Sequence, residues 1–245
     1  VYIDGCELTS SKQVYGGGNA APAPATYVQV NGTYEIDEVF GGGNGKDNYT
    51  LNNGTTDEWF VNPGDNVGYR NYTHLDGTGT GTESSPYNCV DNDDAKEKEE
   101  RQTPKYMYGS GVTTTDIYGG RIHYVYGGSN EKGNISVMAV SLYEELSDCP
   151  MLVDQTYGGG KNSIIDGEIH MQMGCVQNMA ETFGGSKNAD VNSDIVLNIT
   201  NGTYQRVFGG NNTSGEISGP MCINVTNSGT DGHVRICDIE VYGSH

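Results

Sequence analysis

The stretch that decides the fold is Asp194–Asn212, DIVLNITNGTYQRVFGGNN. Residues 194–200 alternate between polar and apolar side chains, a pattern typical of a β-strand with one buried face. Asn201-Gly202 marks a turn, a second short strand ends at Val207, and the pair Gly209-Gly210 interrupts the chain again. The stretch therefore predicts strand, turn, strand and corner in succession.

The end of this stretch recurs along the chain as a phrase made of Val or Thr, an aromatic residue, Gly-Gly and a nearby Asn. Six copies and a terminal variant are present: Val14–Asn19, Val39–Asn44, Val125–Asn130, Thr156–Asn162, Thr182–Asn188, Val207–Asn212 and Val241–His245. Their aromatic residues are spaced by 25, 86, 31, 26, 25 and 34 residues. A basic period of about 25 is too short for a propeller blade and favours one coil of a β-solenoid.

Stacked coils would place equivalent residues about 4.8 Å apart, so each marker of the phrase becomes a ladder of like residues. We expect an aromatic ladder of Tyr15, Phe40, Tyr126, Tyr157, Phe183, Phe208 and Tyr242. The asparagines that follow the aromatic residues would form a hydrogen-bonded amide ladder: Asn19, Asn44, Asn130, Asn162, Asn188 and Asn211 or Asn212. These are architectural roles. A phosphate-binding role for the glycines is disfavoured because no helix or P-loop lysine follows them.

The alternating strand, Asn-Gly-Thr-Tyr and Val-Phe-Gly-Gly-Asn-Asn together resemble the Val-Tyr-Gly-Gly-Gly-Asn repeats of large secreted or surface-attached β-solenoid proteins of anaerobic prokaryotes, especially gut Bacteroidetes. The resemblance covers most of the chain except about residues 45–107. It implies an extracellular, cell-surface role that is structural or adhesive, and it carries over no catalytic residue. With the general preference for right-handed crossovers, it favours a right-handed parallel β-helix of about seven coils, all in one domain, 1–245.

Composition excludes several classes of protein. Glycine supplies 37 of 245 residues and only 18% are charged, which argues against helical bundles and coiled coils. No apolar run approaches the roughly 18 residues of a membrane span, so membrane insertion is not expected. The formal charge of −19 would repel nucleic acid and anionic lipid.

Residues 45–107 depart from the repeat and are predicted to form a long loop insertion. They contain the single Trp, Trp59, for which we weigh a contact with a glycan or a neighbouring subunit against a plain surface loop. Asp91, Asp93 and Asp94 are oxygen ligands of the kind Ca²⁺ prefers, but they lack the spacing of a calcium loop. No cofactor is therefore expected, with Ca²⁺ kept as an alternative.

The six cysteines contain no C-x-x-C pair, so a zinc or redox site is poorly supported. Cys149 and Cys175 each precede their aromatic marker by eight residues and would lie at disulfide distance on successive coils. We therefore expect Cys149 to pair with Cys175. By elimination, Cys222 would pair with Cys237 and Cys6 with Cys89, whereas free buried thiols are the alternative.

Ten Asn-x-Ser/Thr sequons occur, more than composition predicts. N-glycosylation of a secreted protein and a polar ladder on the outer strand face explain them equally well. If glycans are attached, we expect them at Asn71, Asn198 and Asn224.

The sequence favours a non-enzymatic structural protein over two alternatives. A glycan-binding adhesin would use Trp59 and exposed tyrosines. A polysaccharide lyase or glycoside hydrolase would require paired carboxylates beside basic residues, but Arg121 and Arg206 look isolated, and His123, His170 and His233 look like single surface residues. Strand-like segments at both chain ends without a polar cap predict either that the chain is a slice of a longer array or that its copies polymerise head to tail into a fibre or sheet.

Overall fold

The computed structural model describes residues 1–68, 73–75, 77–91, 109–144, 148–226 and 241–242. This part of the chain is all-β and contains no helix. Its strands are β1 (Tyr2–Tyr15), β2 (Thr26–Phe40), β3 (Tyr49–Asn52), β4 (Asp57–Phe60), β5 (Thr73–Leu75), β6 (Cys89–Asp91), β7 (Val112–Ile117), β8 (Gly120–Tyr126), β9 (Val137–Tyr143), β10 (Met151–Tyr157), β11 (Glu168–Gly174), β12 (Val176–Phe183), β13 (Ile195–Ile199), β14 (Gly202–Phe208), β15 (Met221–Val225) and β16 (Val241–Tyr242).

Twelve of these strands form one large parallel sheet that curls around its own core. Its order is β15-β13-β11-β9-β7-β2-β8-β10-β12-β14-β16, and β1 pairs with β2. The long strand β2 is the point where the sheet turns, because residues 26–30 pair with β7 and residues 36–40 pair with β8. We call the strands on the β7 side of this turn side A and those on the β8 side, with the second half of β1, side B. One strand from each side makes a repeat unit.

The pairing repeats the sequence period from unit to unit. On side A, Ile195 is aligned with Ile169 and with Met221. On side B, Phe183 is aligned with Tyr157 and Phe208. Parallel bridges link a third line of residues, Ala23 to Val67 to Ile135 and Ile165 to Val191 to Ile217. The parallel register that the repeat phrase predicted is therefore observed.

A single apolar core lies between the two sides. Alternate residues of the central strands are buried, so that β9 and β11 contribute Met138, Val140 and Met171 from side A, while β8 and β10 contribute Ile122 and Val153 from side B. The apolar positions of the alternating segments are thus the buried ones. Burial of this core is the dominant favourable contribution to folding.

The predicted insertion 45–107 is not one continuous excursion. The antiparallel hairpin β3–β4 leaves the stack, but Asn62, Asp65 and Val67 are buried, and Val67 bridges Ala23 and Ile135. The chain therefore returns to complete its second unit before it leaves again after Gly68. The polar composition of 62–66 concealed this return, because its amides and carboxylate bond inward rather than face solvent.

Candidate functional surfaces

The predicted aromatic ladder is present at the corner that follows each side B strand. Neighbouring rings are stacked nearly parallel, with centroid distances of 4.9, 4.8, 5.0, 4.9 and 4.7 Å from Tyr15 through Phe40, Tyr126, Tyr157 and Phe183 to Phe208. Such pairs are worth about 0.5–1.5 kcal/mol each beyond the burial of their area. The backbone of Tyr242 is aligned with Phe208, and its side chain lies outside the described residues.

The amide ladder is also present, but it shifts by one residue halfway along the stack. Asn44 Nδ2 donates to Asn19 Oδ1 and Asn130 Nδ2 donates to Asn44 Oδ1, each at 2.9 Å. The next phrase contains an extra residue before its Asn, so Asn162 donates to Glu131 Oε1 instead, at 2.9 Å. Asn188 then donates to Asn162 and resumes the ladder. The expected last member is absent, because Asn211 Nδ2 donates to the Ala189 carbonyl and Asn212 Nδ2 donates to the Tyr157 hydroxyl.

Long polar side chains in these corners reach across two units. Asn130 Nδ2 donates to the hydroxyl of Tyr15, and Asn212 Nδ2 donates to that of Tyr157. The two corner lysines do the same with other partners: Lys161 Nζ lies 2.6 Å from Glu38 Oε1, and Lys187 Nζ lies 4.3 Å from the Tyr124 ring centre. We call these four contacts the two-unit braces. We number the units along the chain by the aromatic residue that ends each one: Tyr15, Phe40, Tyr126, Tyr157, Phe183 and Phe208 for units 1 to 6. The braces then link unit 1 to 3, unit 2 to 4, unit 3 to 5 and unit 4 to 6.

The outer surface of side B has a row of polar residues that bond to one another. Register aligns Gln13, Glu38, Tyr124, Gln155, Glu181 and Arg206. Gln13 Nε2 donates to Glu38 at 2.7 Å, Gln155 Nε2 donates to Glu181 at 2.5 Å, and Arg206 forms an ion pair with Glu181. Arg206 is therefore not isolated, in contrast to the sequence interpretation.

His123 lies beside this row and bridges two carboxylates. Its Nδ1 is 2.6 Å from Asp154 Oδ2 and its Nε2 is 3.2 Å from Glu35 Oε1. The hydrogen bond with Asp154 raises the pKa of His123, and Glu35 adds to the effect. Arg121 also donates to Asp154, at 3.0 Å. The interpretation of His123 and Arg121 as single residues was wrong, because their partners come from other units, distant in the sequence.

A shallow groove of about 550 Å³ opens next to this cluster, lined by Lys12, Gln13, Asp37, Glu38, His123 and Tyr124. Both oxygens of Glu38 and both ring nitrogens of His123 already have partners within the protein. Glu35 and Asp154 bond to the same imidazole rather than face each other across an open site. Glu38 and His123 in the groove therefore act as ties between strands.

The cysteine pairing differs from the prediction. Cys6 forms a disulfide with Cys149, whereas Cys175 and Cys222 are free thiols. The expected Cys149–Cys175 and Cys6–Cys89 pairs are therefore wrong. The expected Cys222–Cys237 pair stays a prediction, because Cys222 has no disulfide partner among the described residues and Cys237 lies outside them. The side chain of Cys89 and all of Cys237 lie outside the described residues.

The corner before β10 explains the error. The strands keep the expected offset, since Val153 is aligned with Met179, but seven residues separate β9 from β10 whereas Cys175 alone separates β11 from β12. The longer connection carries Cys149 over the corners of the preceding units. A Cβ at Gly32 would lie 2.8 Å from Cys149 Sγ, and one at Gly119 would lie 2.5 Å from the Cys149 carbonyl oxygen. These two glycines make room for the crossing.

Cys6 meets this connection at a bulge in β1. Gly5 is aligned with Thr33 and Ser10 with Glu35, so residues 6–9 lie opposite Tyr34 alone. Bulges of this kind interrupt the pairing surface of an edge strand. Residues 10–15 beyond the bulge regain a regular register with β2.

Trp59 lies on the excursion, half-buried on β4, and is aligned with Thr50. Its neighbour Phe60 packs in an aromatic cluster with Tyr49 and Tyr87, at centroid distances of 5.4 Å to each. The cluster holds the hairpin to the segment around Tyr87. The structure does not bring Trp59 together with the side B groove, and the role of Trp59 in a glycan or subunit contact stays a prediction.

Two of the three predicted glycosylation residues lie side by side on the outer surface of side A. Asn224 is exposed, and its Nδ2 donates to Oδ1 of the half-buried Asn198 at 2.9 Å. This contact is the polar ladder that we gave as the alternative explanation of the sequons. Attachment of glycans to Asn198 and Asn224 stays a prediction. Asn71 lies outside the described residues.

Sequence reasoning missed a buried carboxylate, Asp65. Its side chain is fully buried, Oδ2 accepts a hydrogen bond from Gly18 N–H at 2.7 Å, and Oδ1 has no partner among the described residues. Burial raises the pKa of Asp65 to about 7. Asp65 follows Pro63-Gly64 and precedes Asn66, which are residues typical of turns, so the sequence gave no indication that its side chain is buried.

No group of three or more metal-ligating side chains occurs in the described part of the chain. The predicted calcium ligands Asp93 and Asp94 lie outside that part, as does the side chain of Asp91. Within the same residues, no helix is long and apolar enough to span a membrane.

Comparison with known protein families, with curated proteins and with solved structures finds no match.

Proposed function

We propose that the chain is a right-handed β-solenoid that serves as a non-enzymatic, extracellular structural protein and builds a cell-surface layer or fibre by head-to-tail stacking of its copies. The observation that carries this proposal is the direction of the side-chain contacts. The aromatic ladder, the amide ladder and the two-unit braces all run along the stack. These contacts stabilise the molecule along the stacking direction, which is the direction in which a fibre carries load.

The edge of β1 supports stacking by copies of the same chain. Residues 10–15 keep the repeat register, and Tyr15 is stacked on Phe40 with no other described ring on its second face. Another copy that presents an equivalent strand would extend both the hydrogen-bond ladder and the aromatic ladder at the same spacing of about 4.8 Å. The −19 charge opposes this contact, and salt weakens the opposition.

The Cys6–Cys149 disulfide supports the extracellular assignment, because disulfides persist in oxidising compartments. The internally bonded groups of the side B groove support a non-enzymatic role. A polysaccharide-active enzyme would instead use carboxylates that face an open site.

Stacking is tested by static light scattering and negative-stain microscopy of the purified chain at 20 and 500 mM NaCl. We expect particle mass to rise with protein concentration and with salt, and micrographs to show unbranched rods. A monomeric mass at high concentration and high salt would contradict the proposal.

A matched pair of variants tests whether the edge of β1 forms the contact between copies. Tyr15→Asp places a charge at the end of the aromatic ladder and should abolish growth. Tyr34→Asp changes an exposed tyrosine that lies outside the ladder and should leave growth unchanged. Thermal unfolding of both variants shows that each is folded, and equal growth of the two would show that the edge of β1 is not the junction.

A further inference from the structure

The outer surface of side A begins with a continuous chain of side-chain hydrogen bonds across the first two units. The hydroxyl of Tyr27 donates to Gln29 Oε1 at 2.7 Å, Gln29 Nε2 donates to Asn31 Oδ1 at 2.6 Å, and Asn31 Nδ2 donates to the Tyr2 hydroxyl at 2.5 Å. The Tyr2 hydroxyl in turn donates to Asp4 at 3.4 Å. Each link fixes the orientation of the next amide or ring.

The two tyrosines in this row of hydrogen bonds keep their rings exposed to solvent. Tyr2 is 62% exposed and Tyr27 is 47% exposed. Farther along side A, Tyr143 is 45% exposed beside Gly174, where a Cβ would lie only 3.4 Å from its ring. Register places Tyr143 next to Tyr118, which follows Ile117 in the row of Asn31. We call Tyr2, Tyr27, Tyr118 and Tyr143, with Gln29 and Asn31, the tyrosine face.

We propose that the tyrosine face binds an extended neutral oligosaccharide. A pyranose ring has an apolar C–H face, which packs on an aromatic ring, and hydroxyls at its edge, which bond to amides. The tyrosine face offers both surfaces side by side. Because the side chains of Tyr2, Tyr27, Gln29 and Asn31 are already held by hydrogen bonds, their ordering on binding costs little side-chain entropy.

Charge and shape define the class of saccharide. The chain carries a net charge of −19, and Asp4 and Asp116 lie in or beside the hydrogen-bonded row. Uronate, sulfate and phosphate groups would therefore be repelled. Asp4 and Asp116 also disfavour a second copy as the occupant of this face, since it would bring their carboxylates close to those of the other copy. The face spans strands from several units rather than a closed pocket, which suits a linear chain of sugars.

The proposal is tested by isothermal titration calorimetry of the full chain with four neutral probes, cellohexaose, laminarihexaose, mannohexaose and xylohexaose. Trigalacturonic acid is the acidic comparison. We expect at least one neutral probe to bind and trigalacturonic acid not to bind. Failure of all four neutral probes, or preference for the acidic one, would overturn the proposal.

Three variants assign the binding to this face. Tyr27→Ala should weaken binding at least tenfold, and Tyr27→Phe, which keeps the ring but cannot donate to Gln29, should weaken it by a smaller factor. Tyr34→Ala removes a ring of 61% exposure from the same strand, outside the face, and should have no effect. Equal affinity of Tyr27→Ala and the unaltered protein would place the binding elsewhere.

The measurement is independent of head-to-tail stacking. Titrations at 20 mM NaCl, with the monomeric mass checked by light scattering, report on the face of a single copy. Failure of stacking leaves this binding intact, and failure of binding leaves stacking intact.

Discussion

Burial of the Asp65 carboxylate couples the stability of the protein to pH. The pKa is raised to about 7 in the folded state and is about 3.9 in an unfolded chain. Between these values the folded protein binds more protons than the unfolded one, so stability falls as pH rises from about 4 to about 7. The loss reaches up to about 4 kcal/mol, at about 1.4 kcal/mol per pH unit.

Replacement of Asp65 by Asn should remove this pH dependence. The amide oxygen can still accept from Gly18 N–H, and no buried charge forms at high pH. We expect Asp65→Asn to be more stable than the unaltered protein at pH 8 and similar to it at pH 4, measured by urea unfolding. Asp57→Asn, in the exposed hairpin, is the control. If both variants show the same pH profile, the Asp65 carboxylate does not enter the core.

The hydroxyls of two neighbouring tyrosines in the aromatic ladder should respond to removal in opposite ways. Tyr126 is fully buried and its hydroxyl has no partner among the described residues, so Tyr126→Phe should gain about 1 kcal/mol of stability. The Tyr157 hydroxyl donates to Gln155 and accepts from Asn212, so Tyr157→Phe should lose about 1 kcal/mol. Chemical unfolding of the two variants checks the sign. A loss in Tyr126→Phe would mean that its hydroxyl is bonded.

At the level of elements, the disulfide ties the bulge of β1 to the connection before β10. It closes a loop with a sequence separation of 143, so its removal should cost up to about 5 kcal/mol by the loop-entropy estimate. We expect Cys149→Ser to lower the unfolding midpoint and Cys175→Ser to leave it nearly unchanged. Peptide mapping without reduction should recover Cys6 linked to Cys149. Recovery of Cys149 linked to Cys175 would restore the pairing expected from the sequence spacing.

The elements that could be predicted are those whose signal is local and repeated. The alternation in 194–200 and the phrase around Phe208 suffice for strands, register and the aromatic ladder, because the backbone hydrogen bonds and stacked rings of each unit involve only its neighbours. The Cys6–Cys149 pair could not be predicted, since it depends on how far an irregular corner reaches across units. The His123 cluster was missed for another reason: it joins Glu35 of β2, His123 of β8 and Asp154 of β10, which are neighbours in the sheet but lie far apart in the sequence. Asp65 was missed for a related reason: its burial depends on the return of 62–68 into the stack.

For the whole molecule, the net charge of −19 should make stability depend on salt. Screening of this self-repulsion should raise the thermal unfolding midpoint by a few degrees between 20 and 500 mM NaCl. KCl should give the same rise, since the effect depends on ionic strength. A midpoint that falls instead would show that ion pairs such as Lys161–Glu38 and Arg206–Glu181 contribute more than the repulsion costs.

The chain segments that border the second excursion meet at Gly68 and Gly111, which are both buried. Gly68 N–H donates to Ala23 and Gly111 N–H donates to Pro24, and a Cβ at Gly68 would lie 2.4 Å from the Gly111 Cα. The height of a unit is fixed by its hydrogen-bond spacing and does not depend on the length of the chain between these two glycines. A folded domain whose own termini lie close together can therefore be inserted into the chain between Gly68 and Gly111 without a change in the spacing of the units.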